Sequence, residues 1–505
     1  MTSHVPTPSG TWDPPRRWWR GWRGITALVA ALLLIGSGVY WLTRPAGDRC
    51  ADGVAKEGTG RACVGLTDGS YPFTHDLDGV FARIHKENDR VAQQAAAPNG
   101  TPWVGVVYLM SMVAGGSGNT YSQDTIRHEL EGAYVAQQLA NRGSTVHIRL
   151  FLAHTGDDQA QRDFTLAQLA AHRDEDRIVA AVGLGTSTSA TRATIQRLTG
   201  TLHIAAFGSV LTADDLAGIA GLVRVAPPNS DEAAAAAKYL LHDRKKPRVL
   251  VIEDTRADDL YTKTLADHFL SAYPKSLLAG PIMTYDSAKS AVATYFGQQM
   301  ATLCLEHPDV IYYAGRGVDL ASLLTPLSSR ICDQTTVRVV SGDDISQVAQ
   351  SPNADQVKKA LRFGRIELVF TGLAHPGAWS VRPQAFQRSA IAPFQKGGEF
   401  LADFPGELLD DGQAIMGYDA MNTARAAITA AAAGGSRMTG DAVIQMQSLL
   451  YGAKAVPGAS GTIFLDNSAN PGAPRNKAIP IVEFAPDGST STLAVSSSAG
   501  TPPDA

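Results

Sequence analysis

Residues 177–209 read RIVAAVGLGTSTSATRATIQRLTGTLHIAAFGS, and this stretch decides the fold class. Residues 178–182 are a short apolar run, the pattern of a strand covered on both faces of a parallel sheet. The run stops at GLGTSTS (183–189), where small residues and hydroxyls crowd a helix start. Residues 202–207 are a second apolar run, and it stops at Gly208-Ser209. Two neighbouring parallel strands then bring hydroxyls and unpaired helix-start N–H groups to one edge of one sheet. Open α/β sheets hold their ligands at that edge, and a helix N-terminus rich in Ser and Thr suits a carboxylate or other anion. The competing reading is that these hydroxyls serve only as helix caps. Thr186, Ser187 and Ser209 are the candidate ligand groups of the two turns.

The same alternation extends in both directions. Upstream, strands are expected at 103–109 and 145–152, and helices at 124–141 and 158–172. Downstream, helices are expected at 230–241, 260–273, 291–305 and 320–329, and strands at 248–253, 277–283, 310–314 and 337–341. Such alternation implies parallel sheets with helices on both faces, hence an α/β fold. After residue 345 the pattern loosens: a strand at 368–373, a long helix at 412–432, and a closing pair of strands at 461–464 and 478–484. Residues 488–505 are Ser, Thr and Pro with few large apolar side chains, and are expected to be a disordered tail.

The beginning of the chain carries ITALVAALLLIGSGVYWL at 25–42, an uncharged run of 18 residues and long enough to cross a bilayer. Arg16, Arg17, Arg20 and Arg23 precede it, and Trp and Tyr residues flank it. The positive-inside bias puts 1–23 in the cytoplasm and the body outside the cell, on a single-pass anchor at 24–43. A cleaved signal peptide is the alternative. Residues 44–102 then read as a juxtamembrane module, a cysteine loop followed by a helical linker.

The 505 residues leave room for two lobes, and a net charge of −4 offers no electrostatic footprint for nucleic acid. The chain has four cysteines, Cys50, Cys63, Cys304 and Cys332. An even number in an exported chain fits two disulfides. Cys50 and Cys63 close a short loop, while Cys304 and Cys332 lie near the ends of consecutive helices; two buried free thiols are the alternative for the second pair. No C-x-x-C and no histidine pair at ligand spacing is present, so neither a metal nor a cofactor is expected.

Several strings occur in an order that resembles the extracellular solute-binding proteins of branched-chain amino-acid ABC transporters, the type I periplasmic-binding fold. They are LVRVAPPNSDEAAAAAKYLLHDRKKPRVLVIEDTRADDLYTKTLADHF (222–269), IYYAGRGVDLASLL (311–324), VVSGDDI (339–345), GYDAMNTARAAI (417–428) and GASGTIFLD (458–466). Here the resemblance is to a membrane-anchored variant. It implies two parallel-sheet lobes joined by three crossings, lobe 1 at 103–223 plus 349–447 and lobe 2 at 224–348 plus 448–487. It places a ligand in the cleft between them. Ser187 falls at the family's Ser position and Ser209 at its Thr position, both on the ligand carboxylate. Phe207 stands where a small residue is usual. Asp343 takes the place of the acid on the ligand ammonium, with Asp344 adjacent. Arg316 replaces a Tyr, and a guanidinium there implies preference for a further anion; the alternative is that Arg316 points out to the rim or simply pairs with Asp343. Asp254 and Tyr261 lie on a rim loop within reach of the cleft, whereas Tyr312 and Tyr313 read as core.

The reading that follows is non-covalent capture of a small polar metabolite, an amino acid or related carboxylate, for delivery to an ABC permease. The alternative is a membrane-tethered sensing ectodomain acting through a signalling partner in the membrane. An enzyme is not expected. Gly183-Leu-Gly lacks the third glycine of a dinucleotide loop, no P-loop or G-x-S-x-G occurs, and no histidine is placed to serve Ser187.

Overall fold

The computed structural model describes residues 48–504, apart from 116–119, 243–244, 290, 333, 435–437 and 466–469. The compact body begins at Ala51. In the first sheet the strands Val54–Glu57, Ala62–Thr67, His147–His154, Trp103–Met110, Ile178–Gly183, Ala205–Gly208 and Leu222–Arg224 lie side by side in that order. Pairing is parallel from His147–His154 onward and antiparallel before it. The second sheet runs Met283–Tyr285, Val249–Asp254, Val310–Ala314, Val337–Ser341, Ile366–Thr371, Ile479–Phe484 and Thr490–Ser496. Its last two strands pair antiparallel, and the rest are parallel.

The apolar runs of the sequence are the sheet centres. Ile178, Val179, Ala180, Ala181 and Val182 are all buried, as a strand covered on both faces requires. On the first sheet the helices Gln123–Ala140 and Gln413–Ala433 pack backbone to backbone. Gly132 and Gly417 allow this, since a Cβ on either would collide with a carbonyl of the facing helix. The Cys304–Cys332 disulfide links the helix Val292–Glu306 to the segment after Leu320–Ser328, with Cα atoms 5.6 Å apart. Cys50 and Cys63 are disulfide-bonded as well.

The chain passes between the sheets after Arg224, after Thr371 and before Ile479. The return to the first lobe thus comes later than residue 349, because Ile366–Thr371 pairs with Val337–Ser341 in the second sheet. Two further expectations are corrected. Residues 51–102 are no separate module. Ala62–Thr67 extends the first sheet through His147–His154, and the helix Asp78–Ala96 buries Val80, Phe81 and Ile84 in the same core. The C-terminal stretch is not a disordered tail. Thr490–Ser496 completes the second sheet and Ser497 is fully buried. An edge strand needs backbone pairing and one covered face, so its poverty in large apolar residues was no obstacle. At 461–464 only an isolated bridge forms, Val456 to Ile463.

The anchor is also corrected. Among the described residues no helix is long and apolar enough to cross a membrane. The run at 25–42 lies outside the described residues. The N-terminal transmembrane helix, the membrane-anchored variant, membrane attachment through that helix and single-pass localisation are accordingly withdrawn.

Candidate functional site

Both sheets have a point where chain order reverses, and the two points face one another. In the first sheet Trp103–Met110 is flanked by His147–His154 on one side and Ile178–Gly183 on the other. In the second, Val249–Asp254 is flanked by Met283–Tyr285 and Val310–Ala314. Crevices at such points are the ligand sites of open α/β sheets. Here main-chain bonds join the two edges. Leu260 N donates to Ser187 O at 3.1 Å and Ser189 N to Asp258 O at 3.1 Å, which makes Thr188 and Asp259 an antiparallel bridge between the lobes. Ser122 N donates to Gln347 Oε1 across the same cleft at 3.2 Å.

Behind this bridge lies a small, nearly filled pocket of about 10 Å³. The first lobe contributes Tyr121, Thr186, Ser187, Val210, Thr212 and Gln413. The second contributes Tyr261, Arg316, Asp343, Asp344 and Gln347. Its volume has room for about one water, so the lobes must part before a ligand can enter. A wider cleft of about 200 Å³ opens beside it past Thr186, Thr155, Asp157 and Arg256.

The turn after Ile178–Gly183 is strained: Gly183, Leu184 and Gly185 have φ of 86°, 77° and 71°. For Leu184 this left-handed backbone costs on the order of 1–2 kcal/mol. The turn aims Thr186 and Ser187 into the pocket, while Thr188 caps the helix Ser189–Gly200 by accepting from Thr191 N at 3.1 Å. Capping and pocket lining are therefore divided between neighbours. Ser187 Oγ accepts from Thr212 N at 3.1 Å and Ala213 N at 3.3 Å. Those bonds leave its own O–H proton available to donate.

Ser209 and Phe207 stand elsewhere. Phe207 is fully buried in the first lobe's core. Ser209 is also fully buried; its hydroxyl donates to Glu129 Oε1 and to Gly183 O. Tyr108 donates to the same Glu129 oxygen at 2.6 Å. Burial pushes the Glu129 carboxyl up to about 7, against the pull of the two hydroxyls. The strand ends at Gly208, and the turn directs Ser209 under the sheet edge rather than over it.

Arg316 lines the pocket, yet its fork is occupied. Nε and one terminal nitrogen hold Asp259 at 2.6 and 2.8 Å, and the other terminal nitrogen holds Asp344 at 2.9 Å. The guanidinium lies 4.4 Å from the centre of the Tyr261 ring. Burial lowers its pKa, but Asp259 and Asp344 outweigh this and hold it well above the ordinary arginine value. The expectation that Arg316 recruits a further anion is corrected: three of its five N–H donors hold Asp259 and Asp344, which already match its charge. Asp344 also accepts from Gly317 N at 2.6 Å. Asp343 differs, because its Oδ1 is buried with no hydrogen-bond partner. Burial, and then the Asp344 charge, pushes the Asp343 carboxyl up to about 7. With one guanidinium against Asp259, Asp343 and Asp344, this wall of the pocket has a deficit of positive charge.

Asp254 accepts from Arg256 N in its own loop and from Ser287 N in the loop after Met283–Tyr285, whereas Tyr261 reaches the pocket. Tyr312 and Tyr313 are buried in the second lobe's cores. His203 is exposed and pairs with Asp441 at 3.0 Å. Asp419 sits where crossings meet. It accepts from Ala459 N and Ser460 N at 2.8 and 2.9 Å, and Lys477 Nζ donates to Ser460 Oγ and Val225 O, each at 2.6 Å. Sequence reasoning missed Tyr121, Gln347, Gln413 and the role of Asp259. Tyr121 could have been noticed as the aromatic of a Gly/Ser-rich loop. Gln347 and Gln413 carry no local signal.

No family model matches the chain, and no curated protein matches it. Solved structures do match in fold. A leucine-binding protein LivK from Thermotoga maritima aligns with a TM-score of 0.57 at 20% identity, covering 78% of this chain and 98% of its own. The branched-chain amino-acid transporter substrate-binding protein LivJ from Streptococcus pneumoniae, in complex with isoleucine, gives 0.58 at 16%, covering 79% and 99%. An ABC transporter substrate-binding protein from Desulfitobacterium hafniense, in complex with Leu, gives 0.53 at 17%, covering 78% and 99%. The likeness establishes the two-lobed binding-protein fold.

Proposed function

We propose that the protein captures a zwitterionic amino acid of modest size outside the cytoplasm and presents it to an ABC permease. The observation that carries this reading is the buried, unpartnered Oδ1 of Asp343 on the pocket wall. A buried carboxylate oxygen without a partner is costly, and a ligand ammonium supplies both the charge and the hydrogen bonds it lacks. Opposite it, the Ser187 hydroxyl, Thr186 and the start of the helix Ser189–Gly200 suit the ligand carboxylate. Tyr121, Val210, Gln347 and Gln413 surround the remaining space and fit a neutral side chain. The solved structures named with leucine or isoleucine are those of similar fold, which favours the same class of ligand. Lobes 1 and 2 close over it through the Thr188–Asp259 bridge.

The test is a thermal-shift and calorimetric screen of the full-length chain against amino acids, the matching amines without carboxylate and the matching acids without amine. At 100 times its dissociation constant a ligand should stabilise by about 2.7 kcal/mol. Zwitterions should bind and both truncated series should not, and Ser187→Ala should weaken binding roughly tenfold, the worth of one charged hydrogen bond. Binding of the acids alone, or of no zwitterion, would overturn the assignment.

A further inference from the structure

We propose that the first lobe carries a divalent-cation site suited to Zn²⁺, with His128, Glu131 and Glu407 as ligands and Asp411 as the group that positions the histidine. His128 and Glu131 are one turn apart on the helix Gln123–Ala140 and share a face. Glu407 comes from the segment after the helix Glu399–Asp403. One ligand atom from each lies within 4.8 Å of the others, and His128 Nε2 is 3.0 Å from Glu407 Oε2. A tetrahedral zinc with bonds of about 2.0–2.1 Å sets its ligand atoms roughly 3.3 Å apart, so the three side chains must draw together by up to about 1.5 Å around the ion.

Glu131 points to a ligand independently of this spacing. It is 3% exposed, and its Oε2 is buried without a hydrogen-bond partner. Asp411, whose side chain is fully buried, lies 2.7 Å from His128 Nδ1. A carboxylate on the far nitrogen of a histidine fixes its tautomer and directs Nε2 at a metal. Glu407 is 28% exposed and leaves an entry path from solvent.

Arg127 is the competing cation. It donates to Glu407 Oε2 and Asp124 Oδ1, each at 2.8 Å, and stands 3.5 Å from Glu131. Asp124, Glu131, Glu407 and Asp411 nonetheless outnumber Arg127 and His128, and a divalent ion fits the deficit. On binding, His128 coordinates as neutral imidazole and releases its Nε2 proton to solvent. Arg127 keeps Asp124. A water takes the fourth position. The sequence hides this site because its ligands come from segments far apart in the chain.

The experiment is calorimetric titration of the chelator-stripped full-length chain with Zn²⁺, followed by Co²⁺ absorption for ligand geometry. One ion per chain is expected. Glu131→Gln and Glu407→Gln should each weaken it at least tenfold, and Asp411→Asn by about 10–100-fold. Circular dichroism and thermal unfolding check that each variant folds. Glu407→Gln, at the more exposed ligand, serves if Glu131→Gln does not fold. No saturable uptake, or uptake that Glu407→Gln leaves intact, overturns the proposal.

Discussion

Replacing Asp343 by Asn should stabilise the ligand-free protein while removing its affinity for an ammonium. Asp343 is 9% exposed as a residue, its Oδ1 is buried without a partner, and Asp344 and Glu232 add like charge. Arg316 and the Tyr261 hydroxyl pull the other way without prevailing. The group therefore titrates at about 7 in the folded chain against an ordinary value of 3.8. Below the unfolded value both states hold the proton and nothing is lost. As pH rises from about 4 to about 7 the unfolded state ionises first, the folded state holds more protons, and stability falls. Above 7 the full penalty is present, on the order of 4 kcal/mol. Asn keeps the shape without the charge. Urea unfolding of wild type and Asp343→Asn from pH 4 to pH 8 should show the variant gaining by a few kcal/mol at pH 8 and by nothing near pH 4. Calorimetry at pH 8 should show its amino-acid affinity reduced at least a hundredfold. A variant less stable than wild type at pH 8, or one that binds equally well, would refute the reasoning.

Two further outcomes follow from the crossings and the sheet edge. Lys477→Met should cost about 3–5 kcal/mol in denaturant unfolding, since it strands the buried Asp419 carboxylate and releases Val225 O and Ser460 Oγ; a loss below 1 kcal/mol would count against that role. Ending the chain after Pro486 removes Thr490–Ser496 from Ile479–Phe484 and Thr492 from His375. The shortened chain should melt several degrees lower and expose the Ile479–Phe484 edge, visible as faster amide exchange there. Unchanged melting would mean that the last strand contributes nothing.

The parallel strands and their helices were legible in the sequence because each carries a local pattern. The run at 310–314 is the strand Val310–Ala314, and the helices expected at 124–141 and 158–172 are found at Gln123–Ala140 and Gln159–His172. Residues 51–67 and 490–496 were misread because strands at a sheet's edge can be short, polar and only half covered. The pocket was half legible. Thr186, Ser187, Asp343 and Asp344 lie at strand ends that the sequence marks, and they do line it. Ser209 did not follow, because one residue of difference in where a strand stops sends a side chain under the sheet instead of over it. The state of Arg316 was beyond reach, since its partner Asp259 lies 57 residues away and nothing in the sequence pairs them.

The bridge between Thr188 and Asp259 is made by the main chain. Substitution cannot readily erase it, since every residue except proline brings the same N–H and C=O. The pocket behind it is lined by side chains. Closing and choosing are therefore inherited separately. A lineage could exchange Gln347, Gln413 or Val210 and acquire a new ligand while the lips of the cleft went on meeting as before.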